Sequence, residues 1–212
     1  MTKKIKDGPF KKYFDDGKYL YEGKFKNNKR IGTFTVTNTI TDVVEEIYNY
    51  KNNKLHGPYK KYNSFGKIRE DGNYKDDKPH GQWKYYVRDD LTGGSRILEE
   101  CVYKNGQRDG PRKLYWDDYS GNLHSEGYFK GLKYEGPCKF YFQTGELYTE
   151  GTIKNGKSHG HLKRYHKNGR VSDEGNMKNG KLDGVWKFYD ENGQLVREGT
   201  FKDNELIDSK EY

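Results

Sequence analysis

The chain has 212 residues, of which 31% are hydrophobic, 34% charged and 16% aromatic, and it carries a net charge of +8. It holds 26 glycines and 20 tyrosines but no alanine, the best helix former, which excludes a helical bundle and favours short strands with tight turns. The aromatic content excludes disorder, and no run of 18 apolar residues exists to span a membrane as a helix.

Along the chain one pattern recurs. A glycine followed two residues later by a bulky residue stands at Gly8, Gly32, Gly57, Gly81, Gly110, Gly136, Gly160 and Gly184. An acid–glycine pair follows most of these: Glu22-Gly23, Asp71-Gly72, Glu126-Gly127, Glu150-Gly151, Glu174-Gly175 and Glu198-Gly199. Glu46-Ile47 and Glu100-Cys101 keep the acid and replace the glycine. Asp16-Gly17, Asn168-Gly169 and Asn192-Gly193 read as type I′ hairpin turns, and Asn105-Gly106, Asn155-Gly156 and Asn179-Gly180 mark a second turn in each unit. The expected fold is all-β: one repeat domain over 1–212, an elongated, twisted, single-layer antiparallel meander of about eight two-stranded repeats. Its sixteen strands would make a ribbon of roughly 75 Å.

Placing Asn168-Gly169 at the centre of its turn sets Lys163 against Glu174. The same rule sets Lys11 against Glu22, Lys60 against Asp71, Lys139 against Glu150 and Lys187 against Glu198. It also lays Phe10 over Gly23, Tyr59 over Gly72 and Trp186 over Gly199, a large ring covering a cross-strand glycine. Period-two alternation then gives one face an aromatic lining that includes Tyr59, Tyr74, Trp83, Tyr103, Phe129, Trp186 and Phe201, together with Ile68, Ile97, Leu123, Leu147, Val171 and Leu195. The other face takes the Lys–acid pairs, a tyrosine row (Tyr62, Tyr86, Tyr115, Tyr141, Tyr165, Tyr189) and a second lysine row running from Lys26 to Lys202.

Tyr21-Glu22-Gly23-Lys24-Phe25-Lys26-Asn27-Asn28-Lys29-Arg30-Ile31-Gly32 resembles the MORN repeat. The segments Gly57–Tyr62 and Gly66–Lys75 resemble its bacterial variant, similar to the YwqK-like family. The resemblance implies a scaffold, and for many bacterial members an antitoxin role; for others it implies action at surfaces or membranes.

The residues themselves offer little chemistry. His56, His80 and His159 share one repeat position beside a turn, and two strands separate His56 from His80, roughly 10 Å, so no metal site is expected. Cys101 and Cys138 fall three strands apart and read as reduced, partly buried thiols. No hydrolase, phosphate-loop or zinc-protease motif is present, and each acid already faces a lysine, so neither catalysis nor a cofactor is expected. Interleaved charge argues against nucleic acid, while the lysine rows would suit anionic lipid.

Departures from the repeat are more informative. The turn between Tyr86 and Arg96 is swollen by five residues, and the next by two, at Trp116–Gly121. Together they offer Arg88, Asp89, Asp90, Trp116, Asp117, Asp118 and Tyr119, an acidic patch with aromatics suited to a protein partner. The expected function is therefore a non-enzymatic, monomeric protein-binding scaffold, which the family resemblance narrows to an antitoxin or immunity protein that occludes a toxin. The alternative is a structural or surface-associated protein touching anionic membrane or cell-surface partners. The basic start lacks the apolar stretch of a signal peptide, so the cytoplasm is expected, or export where such a signal has been removed.

Overall fold

The structure is a computed structural model that describes residues 5–14, 17–88 and 93–212. It forms two compact units, Met1–Gln107 and Arg108–Tyr212. Every element among the described residues is a strand, and every pairing is antiparallel.

The first unit contains β1 (Gly8–Tyr13), β2 (Tyr19–Lys26), β3 (Lys29–Asn38), β4 (Val43–Lys51), β5 (Lys54–Leu55), β6 (Gly57–Tyr62), β7 (Ile68–Lys75), β8 (Lys78–Pro79), β9 (Gly81–Arg88) and β10 (Ser95–Lys104). The second contains β11 (Gln107–Tyr115), β12 (Leu123–Lys130), β13 (Lys133–Tyr141), β14 (Leu147–Lys154), β15 (Lys157–Ser158), β16 (Gly160–Tyr165), β17 (Val171–Lys178), β18 (Lys181–Tyr189), β19 (Leu195–Lys202) and β20 (Glu205–Glu211). Within each unit, chain neighbours are sheet neighbours, as a meander requires. Sixteen strands become twenty because three repeats break their first strand just before the leading glycine, and because β20 adds one more. The three breaks fall where histidine precedes the leading glycine, at His56, His80 and His159. The leading glycine has a positive φ in all eight repeats, from 68° at Gly32 to 151° at Gly110, a conformation that a side chain resists.

The expected register is observed: Lys11↔Glu22, Lys60↔Asp71, Lys139↔Glu150, Lys163↔Glu174 and Lys187↔Glu198 are direct cross-strand partners. The turn that produces it differs from expectation. Gly169 has φ 82° but Asn168 does not share it; Gly169 N donates to His166 O at 2.9 Å, and His166 N to Arg170 O at 2.8 Å. This is a longer loop built on a type I turn, followed by a β-bulge: Tyr165 faces Val171, whereas Arg164 faces Asp173, leaving Ser172 extra. The bulge restores the register that a two-residue turn would have set. The type I′ geometry instead occupies the second turn of the repeat, where asparagine and aspartate serve as well as Asn-Gly: Asn27-Asn28, Asn52-Asn53, Asp76-Asp77 and Asp203-Asn204 all have positive φ.

The bulge also changes which face the aliphatic residues occupy. Ile68, Ile97, Leu123, Leu147, Val171 and Leu195 stand directly opposite Tyr62, Tyr86, Tyr115, Tyr141, Tyr165 and Tyr189, so they join the tyrosine row rather than the aromatic face. The second repeat is corrected too. Thr35 faces Ile47 and Phe34 faces Tyr48, so Ile47 takes the place of the acid and Tyr48 that of the glycine, one residue later than the sequence suggests.

The core is a single course of rings on one face. Rings do cover the glycines, but the ring comes from the following repeat, not from the preceding strand of the same hairpin. A Cβ on Gly23 would stand 2.2 Å from the Phe34 ring, one on Gly72 2.2 Å from Trp83, and one on Gly175 2.5 Å from Trp186. Phe34 and Trp186 are 0% exposed and Trp83 is 2%, so these contacts are the interior of the protein. Where the covering residue is smaller the fit loosens: Leu162 would lie 3.4 Å from a Cβ on Gly151. Gly199, at the end of the eighth repeat, is approached by Phe201 and Leu206 instead.

Candidate functional site

On the second unit's polar face, charge alternates strand by strand. Lys113, Glu126, Lys139, Glu150, Lys163, Glu174, Lys187, Glu198 and Lys210 are successive cross-strand partners. A tyrosine from the next strand pair caps each carboxylate. Tyr141 donates to Glu126 at 2.7 Å, Tyr165 to Glu150 at 2.6 Å, Tyr189 to Glu174 at 3.0 Å and Tyr212 to Glu198 at 2.8 Å. Burial and the bond to Glu150 push the Tyr165 hydroxyl up to about 12.

Glu174 is the hub of this ladder, accepting from Tyr189, from Lys163 at 3.3 Å and from His161 at 3.2 Å. Burial pushes its pKa up, but those bonds outweigh burial and hold the carboxyl below the ordinary glutamate range. A carboxyl lowered in the folded state contributes stability above its unfolded pKa, and the contribution is lost as pH falls through the folded value. The urea midpoint should therefore fall as pH drops below about 4.3. Glu174→Gln should lower the midpoint at pH 7 and flatten that part of the acid limb.

The aromatic face is core in part and half-buried elsewhere. Tyr59, Trp83 and Trp186 are buried, and Tyr74 and Tyr103 pack on the Tyr59–Trp83–Cys101 cluster. Phe129 stacks edge-on against Tyr134 at 4.3 Å, with the Arg112 guanidinium 5.0 Å from its ring centre. Phe201 lies 6.3 Å from Phe188. Both cysteines are reduced and buried, and burial raises the Cys138 thiol to about 11, far from a reactive thiolate. His56, His80 and His159 donate their backbone N–H to the carbonyls of Asn49, Asn73 and Thr152. Among the described residues, no group of three or more His, Cys, Asp or Glu is placed to hold a metal ion.

Of the patch expected from the swollen turns, Asp89 and Asp90 lie outside the described residues, and Arg88 closes β9 opposite Ser95. Trp116, Asp117, Asp118 and Tyr119 belong to the second unit. Their loop is tightly organised. Trp116 N bonds Asn122 O at 2.9 Å, and Asp118 Oδ1 accepts from Ser120 N at 2.9 Å. The loop is also stitched to the next turn: Trp116 Nε1 donates to Phe142 O at 3.2 Å, Gln143 Nε2 to Asp118 Oδ2 at 2.7 Å, and Asn122 Nδ2 to Gln143 O at 2.9 Å. Asp117 and Tyr119 are exposed.

Beside this loop lies a depression that the sequence reading missed. The extra residues of two successive bulges are His124 and Tyr148. Each packs on the first residue of its own loop: His124 on Trp116 at 4.3 Å, Tyr148 on Phe142 at 4.9 Å. A cavity of about 370 Å³ opens among these four side chains, with Phe140 and Gln143 also lining it. The legible signal would have been an aromatic at both the loop-first and bulge positions of adjacent repeats, a signal visible only once the bulge is known.

Comparison with protein families finds the MORN repeat variant at residues 6–27, 55–76, 134–155, 158–179 and 182–203, just over half the chain. The chain belongs to this family. The matched segments are the first, third, sixth, seventh and eighth repeats. The MORN repeat pattern lapses in the out-of-phase second repeat and in the fourth and fifth, whose turns are swollen. Comparison with curated proteins returns no match. Among solved structures, the "Crystal Structure of TcdB2-TccC3-Cdc42" is similar over 88% of this chain and 14% of that one, at 11% identity and a TM-score of 0.16. The chain thus spans a small fraction of that structure's length, and a likeness of this size carries no argument.

Proposed function

We propose that this MORN repeat variant protein is a protein-binding scaffold that acts without catalysis, as a bacterial antitoxin or immunity protein neutralising a toxin by direct contact. The observation that carries this reading is the location of the lapses in the repeat. Stacking selects sameness, because each ring must fit the glycine of the repeat before it. Recognition needs a surface that occurs once. The fifth repeat supplies one, an ordered loop presenting Asp117 and Tyr119 to solvent beside the aromatic depression. Acids suit a basic partner and would speed its approach at low salt. The monomeric chain would act in the cytoplasm, with residues 88–90 of the fourth repeat's turn as a second contact.

The full chain serves as bait in its host, beside a double variant, Trp116→Ala with Asp117→Lys, and a control with two changes in the regular turn at Glu191 and Asn192. A partner retained by the wild type and the control but lost by the double variant is the expected result. That partner, expressed alone, should arrest growth, and co-expression of this chain should relieve the arrest. Equal retention by all three baits, or a partner harmless on its own, overturns the reading.

A further inference from the structure

We propose that the cavity bounded by Trp116, His124, Phe142 and Tyr148 is a receptor for one cationic side chain, arginine or lysine, of the protein partner. The proposal rests on the binding-scaffold reading above and adds the chemistry of the contact. Three observations carry it.

The walls are aromatic on two adjacent repeats, and each pair is set at a steep angle, 76° between Trp116 and His124 and 58° between Phe142 and Tyr148. Ring faces and edges thus meet the cavity from several directions. Ring faces carry the negative part of the aromatic quadrupole and attract cations. The volume of about 370 Å³ is at the small end of ligand sites, suited to one side chain rather than a whole element.

One acid is tied directly to the cavity wall: Asp118 accepts from Gln143, a lining residue, at 2.7 Å. Asp117 and Asp118 lie on the fifth-repeat loop and Glu146 closes the sixth, where the neighbouring Thr144 hydroxyl helps hold its carboxyl ionised. His124 does not oppose a cation, since burial and the nearby Arg112 hold its imidazole below the ordinary value, so it is neutral at pH 7. Lys167 already places its ammonium 5.9 Å from the centre of the Phe142 ring, which leaves Trp116 and Tyr148 as the rings for an incoming cation.

Two such pairs stand in adjacent repeats only here. The equivalent positions are Asn63 and Arg69 in the third repeat, His166 and Ser172 in the seventh, and Asp190 and Val196 in the eighth, while the first repeat has a wider pair, Phe14 and Tyr19, with ring centres 6.1 Å apart. Tyr148 is 43% exposed, so its ring is accessible from solvent.

The test follows the indole N–H signals of the three tryptophans by two-dimensional NMR while the full chain is titrated with acetyl-Gly-Arg-Gly-amide. The same peptide with neutral, near-isosteric citrulline and choline chloride serve as comparisons. The arginine peptide should move the Trp116 signal and leave those of Trp83 and Trp186 in place, and citrulline should bind about tenfold more weakly. Tyr148→Ala, whose fold is checked by the unmoved Trp186 signal, should weaken the arginine peptide by a similar factor. Citrulline binding as well as arginine, or Tyr148→Ala binding normally, overturns the proposal. Choline binding more tightly than the peptide overturns the protein source in favour of a free quaternary ammonium. A toxin captured through the loop while the peptide fails would sink the cation receptor alone. A peptide that binds while no partner is ever retained would sink the antitoxin reading alone.

Discussion

Gly175→Ala should destabilise the protein by about 3 kcal/mol, at the upper end of what overpacking a core costs. The new Cβ would sit 2.5 Å from Trp186 Cγ and Cδ2, and Trp186 is 0% exposed, so the ring has no free direction in which to retreat. Its indole N–H is moreover tied to Asn176 O at 3.0 Å. The same change one repeat earlier supplies the control. At Gly151 the nearest atoms, His161 O and Leu162 Cδ1, are 3.4 Å away, ordinary contact distance, so Gly151→Ala should alter stability by less than about 1 kcal/mol. Shrinking the ring should rescue the clash: Gly175→Ala with Trp186→Leu should be less destabilised than the two single changes predict together. A double-mutant cycle in urea measures that coupling. Equal effects at Gly151 and Gly175, or strict additivity, would mean that ring-on-glycine packing does not join the repeats.

Trp83→Ala should cost about 3–5 kcal/mol, as removal of a buried large aromatic does. Trp83 is the centre of the first unit's ring cluster, 5.6 Å from Tyr59, 5.3 Å from Tyr74, 6.0 Å from Tyr85 and 5.8 Å from Tyr103, and its indole donates to Asn73 O at 3.1 Å. In a single-layer sheet no second layer can collapse into the space, so the loss should stand near the top of that range. Trp83→Phe, which keeps a ring over Gly72, should recover most of it. A urea midpoint for Trp83→Ala close to that of the wild type would show that the face is held by something other than its rings.

How much of this was legible in the sequence can be judged residue by residue. The pairing Lys163↔Glu174 was readable because the same opposition of charge recurs at one register in Lys11↔Glu22, Lys60↔Asp71, Lys139↔Glu150 and Lys187↔Glu198. The donor of the ring was not. A hairpin register fixes which residues face each other within a repeat, whereas the depth of Trp186 over Gly175 is set by the next strand's approach. The bulge at Ser172 was invisible for a related reason: a type I turn plus one extra residue and a two-residue turn leave the same pairs opposed farther along the strands. The aromatic depression was lost with it. His124 and Tyr148 look like ordinary alternating positions until the bulge turns them toward the loops. Trp116 and its acids, by contrast, stood out from sequence alone because they interrupt a spacing otherwise kept.

The packing of each ring on the glycine before it has a direction, and that direction makes the molecule copyable. The regular repeats bring the key for their predecessor and the lock for their successor: Phe34 into Gly23, Trp83 into Gly72, Trp186 into Gly175. An in-frame duplication or loss of a 24-residue unit, such as the one from Gly160 to Asp183, keeps each glycine in register with the covering side chain of the unit that follows it. A shift of one residue within the strand instead presents Val185 or Lys187 in place of Trp186 and turns the strand inside out. Gene-level slippage can thus lengthen or shorten this protein in whole steps while discarding everything between, which is how a chain of near-identical hairpins could grow around the few that became different.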